Sequence, residues 1–323
     1  MQSWQTDLLN LCLRATVKPM LQHARSIDTI RSAMRLSDRT MGRLLVPRST
    51  EHEEAPATAV NCRCEWITTP ASRPDRVILY LPGGAYIIRT PNIHTAMISR
   101  LCDQSEATAL VCYYRLAPEH PFPACLEDSV AAYDWLLAQG YEPSQIAIAG
   151  DSAGGGLTLS TLLALRDGKR PMPACALMMS PLLDAGDRAP SRTKNARTDS
   201  AMPHPRHRGI NPRPLFLGGR DPKDPLVSPI YGTYEGLPSM YVLVSDSEML
   251  LDDSLRLARR AHTYDVEVSV DIWRRVPHVW LSIPFLPESR EAMERAGNFI
   301  SQHLETSPGH DARPVPARGQ GLS

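Results

Sequence analysis

From residue 77 onward the chain alternates short apolar runs with helical segments, and this rhythm restricts the fold more than any other feature. Strand-like runs lie at 77–81, 109–113, 146–149, 174–179, 240–244 and 266–272, and helical segments lie near 94–105, 126–138, 153–166, 253–264 and 288–303. Such alternation predicts an α/β fold with a mostly parallel central sheet flanked by helices on both faces. Upstream, Val60 to Ile67 alternates with the period of a half-buried strand. Residues 3–44 carry Leu8, Leu9, Leu11 and Leu13, then Ile27, Ile30, Met34 and Leu36, which predicts two N-terminal helices. The rhythm breaks at 184–224, a stretch rich in Arg, Pro and Gly that contains the basic run His204-Pro205-Arg206-His207-Arg208. A gap of that length inside a compact domain reads as a lid or insertion. Residues 306–323 are turn-forming and poor in apolar side chains, which predicts a disordered tail.

Composition removes several classes of function. With 35 basic and 35 acidic residues the formal net charge is zero, so no long-range field favours nucleic acid or an anionic membrane. Met1 to Met20 contains Asp7 and lacks a basic start followed by an apolar core, so it does not read as a signal peptide. No uncharged apolar run reaches membrane-spanning length. The seven cysteines are odd in number and scattered, which points to reduced thiols and a cytoplasmic location. A chain of 323 residues can bury a substantial single core, and length alone permits one or two domains.

The run Ile146 to Gly156 passes from an apolar segment into four glycines and one serine. Glycines there serve either a phosphate-binding loop or a nucleophile elbow. A Walker loop ends in Gly-Lys-Ser/Thr, and no lysine follows Gly156; a dinucleotide fingerprint needs G-x-G-x-x-G, which Gly150, Gly154, Gly155 and Gly156 do not supply. Gly150-Asp151-Ser152-Ala153-Gly154 fits the G-x-S-x-G elbow between strand and helix, whose glycines allow a turn sharp enough to present the serine hydroxyl.

A serine hydroxyl needs a base, and the base needs an acid to orient it, in the chain order Ser, acid, His for this kind of fold. Two loops after strand ends supply candidates. His278, in Val276-Pro277-His278-Val279-Trp280, is the base candidate; Ser245 to Asp253 offers Asp246, Glu248, Asp252 and Asp253 as acids. Gly83 and Gly84, just beyond the apolar run 77–81, provide backbone N–H groups for a developing oxyanion.

With these motifs in place, the chain resembles the bacterial hormone-sensitive-lipase-like family of α/β-hydrolase-fold carboxylesterases over about residues 60–305. The resemblance rests on Pro82-Gly83-Gly84-Ala85 where the family has His-Gly-Gly-Gly, on Tyr114 to Pro123 (YRLAPEHPFP), on Gly150 to Gly154, on Ser180-Pro181, and on Asp224 to Pro229 (DPLVSP). Within the family the chain is most similar to small esterases related to monoterpene lactone hydrolases. The resemblance implies a helical cap from residues 1–50, joined by an insertion at 184–224, over a catalytic domain of 51–305. It implies Ser152 as nucleophile, His278 as base and Glu248 as acid, because Glu248-Met249-Leu250-Leu251-Asp252 matches the pattern acid-x-Leu-x-Asp. Gly83, Gly84 and Ala153 are the implied oxyanion donors, no cofactor is implied, and the last strand (266–272) is the implied edge for a homodimer. Proline at 82 cannot make the hydrogen bonds of the family's histidine, although its fixed φ can stiffen the loop.

Other chemistry-bearing residues receive duller readings. Cys62 and Cys64 fall on one face of the predicted strand with no matching pair downstream, and Pro203 and Pro205 oppose a helix that would align His204 with His207, so no metal is expected. Arg115, Glu119 and His120 read as structural members of a proline-fixed loop, and Arg206 to Arg213 as a solvated cap surface. The expected function is hydrolysis of a small-molecule carboxylic ester of short or medium chain through an acyl-enzyme. A lactonase or acyltransferase using the same triad is the alternative, and a non-catalytic binding protein on this fold is the competing class.

Overall fold

Val77, Leu79 and Leu81 pack into one layer of helices and Ile78 and Tyr80 into the other, and none of the five keeps accessible surface. A strand buried on both faces belongs at the centre of a sheet covered on both sides. The computed structural model describes residues 2–56, 60–186, 188–204 and 209–304. The predicted tail, 306–323, lies outside them, as do Arg206, His207 and Arg208 of the basic run.

Among the described residues the sheet has strands β1 (Glu51–Glu54), β2 (Cys64–Thr68), β3 (Arg73–Leu81), β4 (Ala107–Cys112), β5 (Ile146–Asp151), β6 (Cys175–Met179), β7 (Ser239–Ser245) and β8 (Val268–Trp273). Their order is β1-β2-β4-β3-β5-β6-β7-β8; the six from β4 to β8 run parallel and β2 is antiparallel to both its neighbours. This is the α/β-hydrolase fold. β1, with the sequence EHEE and all four residues exposed, has no apolar alternation, and sequence periodicity does not detect it.

The helices are α1 (Trp4–Ala15), α2 (Val17–His23), α3 (Ile27–Ser37), α4 (Arg43–Leu45), α5 (Pro91–Ser105), α6 (Ala124–Ala138), α7 (Ala153–Asp167), α8 (Ser191–Lys194), α9 (Pro212–Leu217), α10 (Leu251–His262) and α11 (Pro287–His303). Leu126, Leu157, Leu162 and Leu257 from α6, α7 and α10 cover one face of the sheet, and Met97, Ile98, Met293 and Ile300 from α5 and α11 cover the other. Each fully buried aliphatic side chain of this kind contributes about 1.5–3 kcal/mol relative to exposure.

Among the described residues the N-terminal region is three helical stretches rather than two: α1, α2, and α3 continued through a π-helical turn (Asp38–Gly42) into α4. Thr16, at φ −121° and ψ −72°, separates α1 from α2, and Ser26 caps α3 by accepting the Thr29 N–H. Polar contacts tie these helices to the first turn of α11 and to loops that follow the strands. Glu288 accepts the Ser3 N–H (2.6 Å) and hydroxyl (2.8 Å), and Asn10 Nδ2 donates to the Arg275 carbonyl at 2.8 Å. Lys18 Nζ donates to Ala196 O, while Arg31 reaches Ile87 O and Ala117 O and pairs with Glu119. Arg115 pairs with Asp128 and Glu127. No helix among the described residues is long and apolar enough to cross a membrane.

Candidate active site

Ser152 stands between β5 and α7 at φ +52° and ψ −118°, a conformation that costs a non-glycine residue about 1–3 kcal/mol. The surrounding backbone holds it there. Its N–H donates to Met179 O (2.8 Å), and its carbonyl accepts from Gly156 N (3.1 Å) and Leu182 N (2.9 Å). The glycines on either side are required by close approach: a Cβ on Gly150 would lie 2.4 Å from Gly154 O, and one on Gly154 would lie 1.9 Å from Leu81 O. The turn therefore packs directly against the end of β3.

His278 Nε2 lies 2.9 Å from Ser152 Oγ, and His278 Nδ1 lies 2.6 Å from Glu248 Oε2. Glu248 is buried. Its other oxygen, Oε1, accepts the Ser245 N–H (2.9 Å) and the Ser180 hydroxyl (2.7 Å). Burial pushes the His278 imidazolium towards deprotonation, but the charge of Glu248 and its hydrogen bond outweigh that, and the pKa ends above the ordinary 6.5. Ser180, quoted above only as part of a motif, links two loops: its hydroxyl oxygen also accepts the Val279 N–H at 3.3 Å.

The other three carboxylates have different partners. Asp246 Oδ1 accepts the Arg275 N–H at 2.7 Å, which fastens the acid loop to the histidine loop. Asp252 accepts Ser191 N, and Asp253 accepts Leu183 N and pairs with Arg192. Of the four, Glu248 is the one the structure brings to His278.

The loop after β3 requires a correction. Gly83 was expected to supply an oxyanion donor, but its N–H donates to Asp151 Oδ1 at 2.9 Å. Asp151 is buried and also receives the Tyr80 hydroxyl (2.8 Å) and His94 Nε2 (3.3 Å). His94 Nδ1 donates to Thr90 O and Nε2 faces the carboxylate; burial opposes the imidazolium, but the Asp151 charge and hydrogen bond outweigh it and raise the pKa. On the Asp151 side burial opposes ionisation, and the charge and hydrogen bond of His94 overcome it, lowering that pKa. Tyr114 donates to Pro82 O at 2.6 Å. Tyr114 and the Asp151 cluster thus anchor the loop that the family's histidine would otherwise hold. Beyond Gly83, Gly84 (φ +124°) and Ala85 (φ +52°) turn the backbone, and among the described residues neither N–H donates a hydrogen bond within the chain. Ala153 opens α7, where the first N–H groups have no intrahelical acceptor.

Cys62 and Cys64, read from the sequence as a pair with no matching partner and no metal, have a third thiol across the sheet. The β2–β4 ladder sets Cys64 directly opposite Cys112, and the Sγ atoms of Cys62, Cys64 and Cys112 all lie within 4.8 Å of one another. Cross-strand register, invisible in sequence spacing, brings in the third thiol.

A strained serine on an elbow, a histidine against it and a buried glutamate behind that histidine, all at the carboxyl ends of a mostly parallel sheet, define the class of α/β hydrolases. Comparison with known proteins agrees. Residues 78–282 match the α/β-hydrolase-fold family. An acetyl-hydrolase of Streptomyces hygroscopicus is 40% identical over 244 residues, covering 75% of this chain and 81% of its own. The crystal structure of an esterase from the bacterial hormone-sensitive lipase family superposes with a TM-score of 0.86 at 37% identity, covering 94% of this chain and 100% of that one. EstE5, in a crystal soaked with p-nitrophenyl butyrate, gives a TM-score of 0.86 at 36% identity over 94% of this chain and 99% of that one. The chain belongs to the α/β-hydrolase-fold family, among the carboxylic ester hydrolases of its bacterial hormone-sensitive-lipase-like branch.

Proposed function

We propose that the protein is a serine carboxylesterase that cleaves short- and medium-chain esters through an acyl-enzyme. The observation that carries this reading is the hydrogen-bonded line from Ser152 Oγ to His278 Nε2 (2.9 Å) and from His278 Nδ1 to Glu248 (2.6 Å). Ser152 Oγ attacks the ester carbonyl as its proton passes to His278 Nε2. Glu248 keeps the Nδ1–H of His278 in place and stabilises the imidazolium. The N–H groups of Gly84, Ala85 and Ala153 bind the oxyanion of the tetrahedral intermediate, Ala85 taking the place first given to Gly83. A single donor of this type is worth about 10²–10³ in kcat. His278 then returns the proton to the leaving alcohol. A water, deprotonated by the same nitrogen, releases the acid and regenerates Ser152.

Two observations support a short acyl group. The Tyr86 and Phe216 rings stack at 3.8 Å between centroids, and a Cβ on Gly156, one turn into α7 from Ser152, would lie 3.1 Å from the Tyr86 hydroxyl. An aromatic wall therefore stands beside the nucleophile helix. The Streptomyces relative's name, acetyl-hydrolase, and the butyrate ester soaked into EstE5 fit the same range. A panel of p-nitrophenyl esters graded by acyl length tests the proposal, with Ser152→Ala as the blank. kcat/KM should peak between acetate and hexanoate. Faster turnover of an emulsified long-chain triglyceride than of the soluble butyrate would overturn it.

A further inference from the structure

The thiol cluster takes no part in ester cleavage, and its geometry is that of a ligand set. Cys64 and Cys112 are fixed opposite each other in the β2–β4 ladder, both buried. Cys62 lies just before β2, half-buried, with its Sγ 3.5 Å from that of Cys112. Backbone bonds on both sides hold the segment: Ala55 N donates to Cys64 O at 2.9 Å and Tyr113 N donates to Arg63 O at 3.0 Å. The three sulfurs come from three separate positions on two chain segments and still converge within 4.8 Å. Cys102, Cys125 and Cys175 are equally buried and, among the described residues, belong to no such group.

The number and kind of donors select the ion. A metal–sulfur bond of about 2.3 Å in a trigonal plane separates the sulfurs by about 4 Å, which this cluster meets with side-chain adjustments alone. Tetrahedral zinc needs a fourth ligand. Among the described residues the group contains three, and the nearby carboxylate of Asp128 is engaged by Arg115 through its backbone N–H and its guanidinium. Three thiolates, with the Asp128 carbonyl oxygen 3.8 Å from Cys112 Sγ and beyond bonding reach, favour a soft ion that accepts three-coordination.

We propose that Cys62, Cys64 and Cys112 form a three-coordinate site for one soft, thiophilic ion of the Cu(I) type. Each new metal–sulfur bond at a protonated thiol replaces an S–H bond and releases that proton to water, with no change in oxidation state. The half-buried Cys62 is the thiol that solvent reaches, so the ion enters there. This inference is independent of the esterase mechanism.

The test is anaerobic titration of the full chain with Cu(I) against a colorimetric Cu(I) chelator. One equivalent should bind, X-ray absorption should count three sulfur neighbours, and Cys64→Ser should weaken binding at least a hundredfold. Cys12→Ser, at an exposed thiol elsewhere, should leave binding unchanged. Because serine at Cys64 or Cys112 can disturb the sheet, alkylation of the unmodified protein gives a second readout: Cu(I) should slow the reaction of Cys62 with iodoacetamide more than tenfold. Absence of uptake by the reduced protein, binding indifferent to Cys64→Ser and Cys62→Ser, or a shell of two sulfurs with nitrogen or oxygen would overturn the proposal. Formation of a Cys62–Cys112 disulfide by a protein that takes up no metal would also overturn it and would identify a redox pair instead.

Discussion

Replacing Glu248 by glutamine should change the tautomer of His278 while leaving its position almost untouched. Glu248 Oε1 accepts two hydrogen bonds, from Ser245 N (2.9 Å) and Ser180 Oγ (2.7 Å), so the amide oxygen of glutamine must occupy that place. Its NH₂ group then faces His278 Nδ1 across the gap that is 2.6 Å in the native protein. Two donors cannot share that line. His278 must give up its Nδ1 proton and carry the proton on Nε2, which faces Ser152 at 2.9 Å. Protonated there, the nitrogen cannot accept the serine proton. Losing both the tautomer and the stabilised imidazolium should lower kcat by about 10⁴-fold, about 5 kcal/mol of transition-state stabilisation, with KM little changed. The assay is steady-state hydrolysis of p-nitrophenyl butyrate, with near-ultraviolet circular dichroism as the check on folding. Asp246→Asn, at a side chain that among the described residues hydrogen-bonds Arg275 N alone, should retain activity within about tenfold. A folded Glu248→Gln enzyme within tenfold of the native protein, beside an inactive Asp246→Asn enzyme, would refute the assignment of the acid.

The acid limb of kcat/KM should have its midpoint above pH 6.5, because the raised His278 pKa means that the imidazole is lost to protonation earlier as pH falls; a profile flat from pH 5 to 9 in a folded protein would contradict this. Asp151→Asn should lower kcat about 100-fold with a smaller change in KM, since the Gly83 N–H loses its charged acceptor and the donors beyond it shift; full activity would show that the loop does not depend on this anchor. Dimerisation, if it uses the sheet, should use β8: the opposite edge, β1, is short and carries three glutamates, whereas β8 exposes Ile272. Light scattering should give a dimer at micromolar concentration, lost on Ile272→Lys, and a monomeric native protein would reject this edge.

The parts of the molecule legible in its sequence are those governed by local pattern. β3 is readable because a continuous apolar run from Val77 to Leu81 serves both faces of the sheet. The elbow is readable because its glycines answer to contacts within one turn and with the adjacent strand. The acid was not decided by spacing, since Asp246, Glu248, Asp252 and Asp253 all follow β7 closely; the family pattern singled out Glu248, and the structure gives the other three separate duties. The oxyanion loop was legible only as a pair of glycines after a strand. That the Gly83 N–H is taken by a carboxylate from the next strand, Asp151, leaves no local trace in the sequence. His94 and Cys112 were passed over for the same reason: their partners, Asp151 and Cys64, are set by sheet packing and register. β1 escaped because an exposed charged edge strand lacks periodicity.

The most direct test of the serine mechanism is the mass of the enzyme after reaction with a fluorophosphonate ester, followed by peptide mapping. One adduct per chain should appear on Ser152, abolish turnover and fail to form on Ser152→Ala, and it should form more slowly by orders of magnitude on a folded His278→Ala protein. A native protein that hydrolyses p-nitrophenyl butyrate yet remains unlabelled, or that is labelled and inactivated at another residue, would contradict the mechanism proposed for it.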